Sequence, residues 1–407
     1  MSAQTLRIPR NTFGRPQVYA VAGCYFVASF AALGLPPYLT QILPEFGDRG
    51  ARWAGVLYVV PTVFGALGAP LWGRLADRFG RKRLLLRAQL GLAVAFLLAG
   101  WADSLATFTL ALVIQGILGG TFAASNGYLG AALEGPALSR ALTLMQGSAR
   151  AALVVAPIVV GALSGWLSPH RQYALLAVLP LTAALLLAAL PEPDPEPDPD
   201  QRTWEEHTPT ATDPAPAAPP LVPLTTLYAL ECAFVFSTVI SFPYLIALVD
   251  DRLPGTSPTL SGVLFALPHL CYLVTALPVH SAVRDRPRAG VALGFACIAL
   301  GLAGHAVAAD LPVLIAVRLL LGAGLTFGLV SLSVLAADCA RGRAPGGLFG
   351  SLEFFSKAGA VAAGLAAAVG SARFGPAAPV LTGGAAAAVT VLAILLPTPH
   401  PRIRWSR

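Results

Sequence analysis

Long apolar runs alternate with short charged or proline-containing segments along most of this chain. A helix needs roughly 20 apolar residues to cross the hydrocarbon of a bilayer. Runs of that length predict a first set of six membrane-spanning helices near residues 17–39, 54–73, 84–102, 105–130, 141–165 and 172–190. A second set of six follows near residues 224–248, 259–281, 289–309, 312–337, 348–369 and 376–396. The pattern therefore predicts an all-α membrane protein with 12 transmembrane helices.

A proline-rich, acidic stretch separates the two sets. It contains PEPDPEPDPD and, later, PAPAAPP, and it has few side chains to bury. Such a composition is typical of an extended linker. The expected organisation is an N-terminal six-helix bundle over residues 1–190, a cytoplasmic linker over 191–223 and a C-terminal six-helix bundle over 224–407.

Composition excludes a soluble protein. Apolar residues make up 56% of the chain and charged residues only 12%, whereas soluble domains contain about 25% charged residues. The net charge of +7 comes from short loops and not from one helix face, so we expect no nucleic-acid partner. The five cysteines lack the spacing of metal ligands, so we expect neither a metal nor a cofactor.

Basic residues are distributed unequally between the two sides of the predicted membrane. If the N-terminus is cytoplasmic, 19 of the 27 lysines and arginines fall in cytoplasmic segments when Arg87, at the start of the third run, is counted with the preceding loop; five fall in outer loops and the other three lie within spans. Short cytoplasmic loops normally carry the excess of positive charge. We therefore expect a multi-pass protein of the plasma (inner) membrane with both termini in the cytoplasm.

Short motifs recur at nearly constant spacing between the two sets. Pro37-Tyr38-Leu39 recurs as Pro243-Tyr244-Leu245, 206 residues later, and Arg150 aligns with Lys357 at 207. Asp77-Arg78 likewise recurs as Asp285-Arg286 at 208. These matches come from different helix pairs, so they predict two homologous, pseudo-symmetric halves.

The most specific motif is GRLADRFGRKR, which runs from Gly73 to Arg83 between the second and third spans. It resembles the signature of the major facilitator superfamily (MFS). The resemblance implies the MFS fold of two six-helix bundles, alternating access, and a substrate held between the halves. It also implies that this loop latches the second span to the eleventh in one state of the cycle. The residues implied to act in gating are Gly73, Asp77, Arg78, Gly80 and Arg81.

Arg150 and Lys357 are the candidates for substrate binding. Each lies about nine residues into its span, or roughly 13 Å deep. An isolated cation there costs at least about 2.5–3.5 kcal/mol, so such residues commonly face a water-filled cavity or a partner. Our hypothesis is that both bind an anionic substrate, with further polar contacts from Gln115, Tyr38 and Tyr244. The alternative is pairing with buried acids, and Glu353 lies four residues before Lys357.

Four residues are candidates for proton coupling: Glu231, Glu353, His269 and Arg318. Glu231 lies about seven residues inside the seventh span, and a carboxylate or a histidine is needed to carry a proton. His269 is a candidate for proton transfer, but a histidine on an apolar helix is equally typical of a hydrogen-bonded core residue. Arg318 begins R-L-L-L-G-A-G, which resembles a family element that normally lies in the fourth span, where this chain has Leu112. Arg318 either takes over that role from the other half or braces the periplasmic end.

The fifth span contains A-P-I-V-V-G, a weakened form of the family's antiporter signature in which Ala156 replaces a glycine. The resemblance implies proton-coupled efflux of a small organic molecule, a drug or an anionic siderophore-like compound. A proton-coupled importer of an organic anion or sugar is the alternative. Clustered nucleophiles are not evident, so we do not expect an enzyme. The expected partners are the small-molecule substrate, protons and the lipid bilayer, and the expected state is a monomer.

Overall fold

The computed structural model describes residues 15–121, 124–125, 128–129, 133, 135–189, 220–340 and 345–396. All regular elements in these residues are helical. The first group is α1 (Arg15–Gly34), α2 (Leu39–Ile42), α3 (Ala54–Phe79), α4 (Arg81–Gly100), α5 (Leu105–Leu118), α6 (Gly135–Leu163), α7 (Pro169–Leu176) and α8 (Val178–Ala188). The second is α9 (Leu224–Val239), α10 (Leu245–Arg252), α11 (Pro258–Val283), α12 (Pro287–Val307), α13 (Leu311–Ala340), α14 (Pro345–Phe374) and α15 (Ala378–Leu395).

Twelve apolar helical segments occupy the positions of the twelve predicted spans. Within the described residues, ten are long and apolar enough to cross a bilayer. The other two are the shorter apolar helices Ala54–Ala69 and Leu105–Leu118, at the second and fourth predicted spans. The prediction of an all-α membrane protein with two six-helix sets is therefore confirmed.

The first and seventh spans are interrupted at the same motif. After α1 the chain forms a 3-10 turn, Pro36–Tyr38, before α2, and after α9 it forms a 3-10 turn, Phe242–Tyr244, before α10. Proline lacks the N–H that a continuous helix requires, which explains both interruptions. The repeated sequence thus adopts the same local structure in both halves.

The fourth predicted span is interrupted by a break in the helix. The apolar run extends from 105 to 130, α5 ends at Leu118, and the described residues at 121, 124–125 and 128–129 are again helical. Gly119 and Gly120 follow, and Gly120 has a φ of +90°, which L-residues with a side chain rarely adopt. Backbone conformation at this glycine pair ends the helix although the hydrophobicity continues.

Contacts divide the chain into two compact units. The first contains Met1–Leu35 and Val60–Asp213, and the second contains Pro36–Val59 and Pro214–Arg407. The second unit thus includes a stretch from the first six-helix set. Most of the predicted linker lies outside the described residues, so its extended form and the division at 191–223 remain predictions.

Each unit has its own apolar core. In the first, α1 packs on α6 and α8, and α4 packs on α5, α7 and α8. In the second, α12 packs on α13 and α15, while α9 packs on α14. Glycines allow a close crossing of α12 and α13, because a Cβ on Gly294 of α12 would lie only 2.5 Å from the amide nitrogen of Gly328 in α13. Small residues at helix interfaces are the usual basis of close packing in membranes.

Candidate substrate, gating and coupling residues

The gating loop joins α3 directly to α4. Gly80 separates the two helices with φ 91° and ψ 144°, a conformation that requires glycine. Arg78 is exposed and its guanidinium lies 5.3 Å from the ring centroid of Phe79. Arg81 begins α4. The surroundings of the other two predicted gating residues, Gly73 and Asp77, lie outside the described part of the structure.

Lys82 connects this loop to the last helix of the first unit. Its Nζ donates a hydrogen bond of 3.0 Å to the carbonyl oxygen of Ala188, the final residue of α8. A cation at a helix C-terminus satisfies a free carbonyl and interacts favourably with the helix dipole. The basic loop therefore has a structural role besides the gating role implied by its sequence.

Arg87 is an important residue that the sequence reasoning missed. Its guanidinium lies 3.4 Å from the ring centroid of Trp72 and donates to the carbonyl oxygens of Leu118 (2.9 Å) and Gly119 (3.3 Å). Trp72 Nε1 donates to the carbonyl oxygen of Ile117 at 2.6 Å. The two side chains together satisfy the carbonyls that the early end of α5 leaves without helical partners.

A signal for this role was present in the sequence. Arg87 lies within the third apolar run, beyond the dense part of the basic cluster, and Gly119-Gly120 interrupts the fourth run. In the sequence Arg87 follows closely on the loop charges, so the pattern alone does not distinguish it from them. Only the fold shows that α4 places this arginine at the glycine break.

Arg150 lies in α6 and is half-buried. Seven residues later α6 contains Pro157, so the antiporter-like segment is helical through its proline. Ala156 is fully buried, and a Cβ added to Gly34 of α1 would lie 2.7 Å from the Cβ of Ala156. The small residues of the weakened antiporter signature therefore form a close α1–α6 contact.

Lys357 forms an ion pair with Glu353. The lysine Nζ lies 3.3 Å from Glu353 Oε1, one turn earlier on α14. The side chains are 46% and 67% exposed, respectively. Ion pairs this exposed contribute only about 0–1 kcal/mol. The pair neutralises the lysine in part and leaves much of its ammonium group uncovered by protein.

Glu231 lies on α9, the helix that packs on the Lys357-bearing helix. The rings of Tyr228 and Phe355 stack between α9 and α14 with centroids 5.0 Å apart. A Cβ on Gly359 would lie 2.5 Å from the carbonyl oxygen of Cys232, so the two backbones approach closely beside Glu231. Glu231 itself is half-buried.

Arg318 is buried in the second unit, with only 2% of its surface exposed. Its Nε donates to the carbonyl oxygen of Leu264 at 2.7 Å and its NH2 group donates to that of Phe265 at 2.8 Å. Both acceptors belong to α11. Of the two roles that the sequence left open, these bonds favour a brace between α13 and α11.

His269 is also buried in this region. Its ring lies 5.8 Å, centroid to centroid, from the rings of both Phe242 and Phe265. An aromatic surrounding of this kind is typical of a core histidine. The geometry thus favours packing over proton transfer at this position.

The remaining predicted substrate contacts differ in accessibility. Gln115 is half-buried on α5. Tyr38 and Tyr244 are almost completely buried, and their hydroxyl groups are hydrogen-bonded to main-chain atoms of the second unit. Among the described residues, no group of three or more His, Cys, Asp or Glu side chains is placed to hold a metal ion.

The chain matches the sequence model of the Major Facilitator Superfamily over residues 21–254. Among curated proteins, it is 30% identical over 183 residues to the multidrug resistance protein MdtG of Proteus mirabilis, covering 44% of each chain. It is 33% identical over 185 residues to MdtG of Citrobacter koseri, covering 44% of this chain and 43% of that protein. The chain thus matches less than half the length of these relatives.

Solved structures resemble the chain over nearly its whole length. A POT family transporter matches with a TM-score of 0.71 at 12% identity, covering 95% of this chain and 97% of the other. The human organic anion transporter MFSD10 matches with a TM-score of 0.64 at 19% identity, covering 93% of this chain and 98% of the other. A D-xylose-proton symporter matches with a TM-score of 0.71 at 13% identity, covering 94% of this chain and 97% of the other. At these identities the likeness shows the fold alone. The sequence-model match, which spans more than half of the chain, shows that the chain belongs to the major facilitator superfamily, and its apolar helices are those of a multi-pass integral membrane protein.

Proposed function

We propose that this transporter exports a small organic molecule in exchange for protons, with both termini in the cytoplasm. The observation that supports this most directly is the similarity to relatives named multidrug resistance proteins. The close α1–α6 contact between Gly34 and Ala156 supports it further, since the antiporter-like signature contributes that contact. The excess of basic residues in the predicted cytoplasmic segments supports the orientation.

For the substrate class, the proposal is an organic anion bound by Arg150 and Lys357. The supporting observation is that the Glu353–Lys357 pair is half-exposed, so the ammonium group stays accessible to a second anion. Arginine offers a planar pair of donors and lysine a compact charge, which together suit a carboxylate-rich compound, siderophore-like or otherwise. Gln115 supplies a neutral polar contact.

For the coupling site, the proposal centres on Glu231. It is half-buried, and its helix packs directly on the helix of Glu353 and Lys357. A proton that arrives at either carboxylate removes one negative charge near the bound anion. His269 and Arg318 then support α11 without carrying protons, and the gating residues Gly73, Asp77, Arg78, Gly80 and Arg81 control the conformational change.

The test uses inside-out and right-side-out membrane vesicles with an imposed pH gradient. The probes are a fluorescent tricarboxylate and a lipophilic cationic dye, and vesicles without the transporter serve as the control. We expect accumulation of the tricarboxylate in inside-out vesicles, abolished by a protonophore and reduced by Lys357→Ala.

Other results would contradict the proposal in distinguishable ways. Accumulation only in right-side-out vesicles indicates the alternative function, import of an organic anion or sugar. Preference for the cationic dye overturns the anion site alone. Flux that is insensitive to the pH gradient overturns proton coupling.

A further inference from the structure

The break in the fourth span creates two helix ends within one transmembrane segment. α5 ends at Leu118, and helical hydrogen bonding resumes where the amide of Ala124 donates to the carbonyl oxygen of Gly120 at 3.0 Å. Gly120 therefore caps the N-terminus of a second helical part, whose described residues at 121, 124–125 and 128–129 are helical. The last carbonyls of α5 and the first amides of the second part lack partners within their own helices.

The break lies at membrane depth. Gly119 follows Leu105, the first residue of α5, by 14 residues, or about 21 Å of helix rise. Arg87, which contacts the break from α4, follows the first residue of its helix, Arg81, by six residues, or about 9 Å. In a hydrocarbon core about 30 Å thick, both distances place the break well inside the bilayer. Polar groups at this depth need partners from the protein or from a ligand, because lipid supplies none.

The carbonyl side of the break is satisfied by side chains. Arg87 donates to the carbonyl oxygens of Leu118 and Gly119, and Trp72 Nε1 donates to that of Ile117. The Nε–H of Arg87 is nevertheless buried without an acceptor. Among the described residues, no carboxylate pairs with this arginine, so its positive charge lacks a counter-ion there.

The amide side of the break contains buried hydroxyl groups without partners. Thr121, directly after Gly120, is 4% exposed, and its Oγ1 has no hydrogen-bond partner in the described part of the chain. Ser125 lies one turn later on the same face, is 0% exposed, and has an Oγ that is equally unpartnered. Buried hydroxyl groups normally have a partner, so these two indicate a missing one.

The break also offers space for a ligand. Gly120 is exposed, and a Cβ added to it would meet no atom within 4 Å. Arg87, Trp72, Gly120 and Thr121 all belong to the first unit, so the site is formed within a single unit.

The unused groups share one chemical preference. The first amides of a helix, a hydroxyl group and a guanidinium Nε–H are all hydrogen-bond donors, and the helix dipole adds partial positive charge. An oxyanion satisfies such a set, as it does at the half-helix N-termini of other discontinuous membrane helices. A carboxylate has two oxygens that can accept from several of these donors at once.

We propose that the break after Leu118 binds one carboxylate of an organic anion, held by Arg87, the Thr121 hydroxyl and the first amides of the second helical part. The identification of this anion with the exported substrate rests on the proposed function. The site adds Arg87 and Thr121 to the anion-binding residues and gives the broken helix a role in recognition. The competing occupants are an ordered water and the phosphate of an anionic lipid.

The test measures binding and not transport. Trp72 stacks on the guanidinium of Arg87, so its fluorescence reports on the site directly. A full-length variant keeps Trp72 and carries phenylalanine in place of the other five tryptophans. It is placed in phosphatidylcholine nanodiscs and titrated with citrate at constant ionic strength. We expect a saturable change in the emission of Trp72.

Thr121→Val removes the hydroxyl group and keeps the shape of the side chain. We expect it to raise the Kd for citrate about tenfold, because one hydrogen bond to a charged group is lost. Thr121→Ser keeps the hydroxyl group and should bind citrate nearly as the parent does. Thr109→Val is the matched control, since Thr109 lies on α5 and its hydroxyl already donates to the carbonyl oxygen of Leu105 at 2.7 Å.

Three results would overturn the site. One is a folded parent protein whose Trp72 emission shows no saturable response to citrate, as expected for a site that holds only water. Another is a parent-like Kd in Thr121→Val, or in Thr121→Ala if the valine variant does not fold. The third is an equal response to phosphatidylglycerol without citrate that Thr121→Val weakens in the same way, which assigns the site to lipid phosphate.

Failure of the proposed function would look different. If citrate binds beside Trp72 in a Thr121-dependent manner but no vesicle accumulates the tricarboxylate under a pH gradient, the site stands and the export of organic anions does not.

Discussion

Arg318 supplies the hydrogen bond that Pro268 cannot make. In a continuous α-helix the amide of residue 268 donates to the carbonyl of residue 264, but proline has no N–H. Arg318 Nε donates to the carbonyl oxygen of Leu264 at 2.7 Å instead. A side chain of α13 thus completes the hydrogen bonding of α11 at its internal proline.

This relationship predicts a coupling between the two residues. Arg318→Leu leaves buried carbonyl groups without a donor, so we expect the free energy of unfolding to fall by about 1–3 kcal/mol. In a Pro268→Ala background the restored amide can bind Leu264, and the same substitution should cost about 1 kcal/mol less. Thermal unfolding of the purified variants measures both values.

Arg373→Leu is the control for that cycle, because Arg373 is exposed at the end of α14. We expect it to leave the melting temperature nearly unchanged in both backgrounds. An equal cost of Arg318→Leu with and without Pro268 would show that the arginine does not compensate for the proline.

The cap on α5 gives a second prediction. Arg87→Leu removes two hydrogen bonds to carbonyl groups at the end of the helix, and we expect a loss of about 1–3 kcal/mol in unfolding free energy. Arg87→Lys keeps the charge but loses the planar guanidinium group with its several N–H donors, so its loss of unfolding free energy should be intermediate.

Arg83→Leu is the matched control for this cap, since Arg83 lies one turn earlier on α4 and is exposed. Denaturation followed by circular dichroism compares the three variants. If Arg83→Leu destabilised the protein as much as Arg87→Leu, the effect would reflect loss of charge and not loss of the cap.

The ion pair on α14 gives a third prediction, on the proposed anion site. Glu353→Gln removes the carboxylate that competes for Lys357, so we expect KM for an anionic substrate to fall by about two- to five-fold, in keeping with an exposed pair. Lys357→Ala should raise KM for the same substrate. A neutral substrate is the control and should respond to neither change. A rise in KM with Glu353→Gln would place the glutamate among the groups that assist binding.

The gating loop gives a fourth prediction. If Asp77 acts in the conformational change, Asp77→Asn should lower turnover several-fold while KM stays nearly constant, because the substrate contacts are intact. Asp285, its counterpart in the second half, is exposed and lies 3.8 Å from Arg284, so Asp285→Asn is the matched control. Transport in proteoliposomes measures both parameters. A change confined to KM would assign Asp77 to substrate binding.

The number and positions of the spans could be predicted from the chain alone because a bilayer requires long apolar helices whatever their neighbours. The repeat could also be predicted, since Tyr38 and Tyr244 belong to two copies of the same motif. Helix ends were harder to predict. Hydrophobicity continued past Leu118, whereas the conformation of Gly120 decided where α5 ends.

The roles of single polar residues depended on contacts between distant parts of the chain. Glu353 and Lys357 are one turn apart, so their pairing followed from helical spacing. Arg318 and Leu264, or Tyr38 and Pro258, are brought together only by packing of separate helices. By itself, the sequence determined the membrane fold, the two homologous halves and the presence of the basic motif Gly73–Arg83, because these depend on local hydrophobicity and pattern. Only the tertiary structure decided which buried polar groups brace helices, because a hydrogen bond requires its two atoms within about 3 Å of each other.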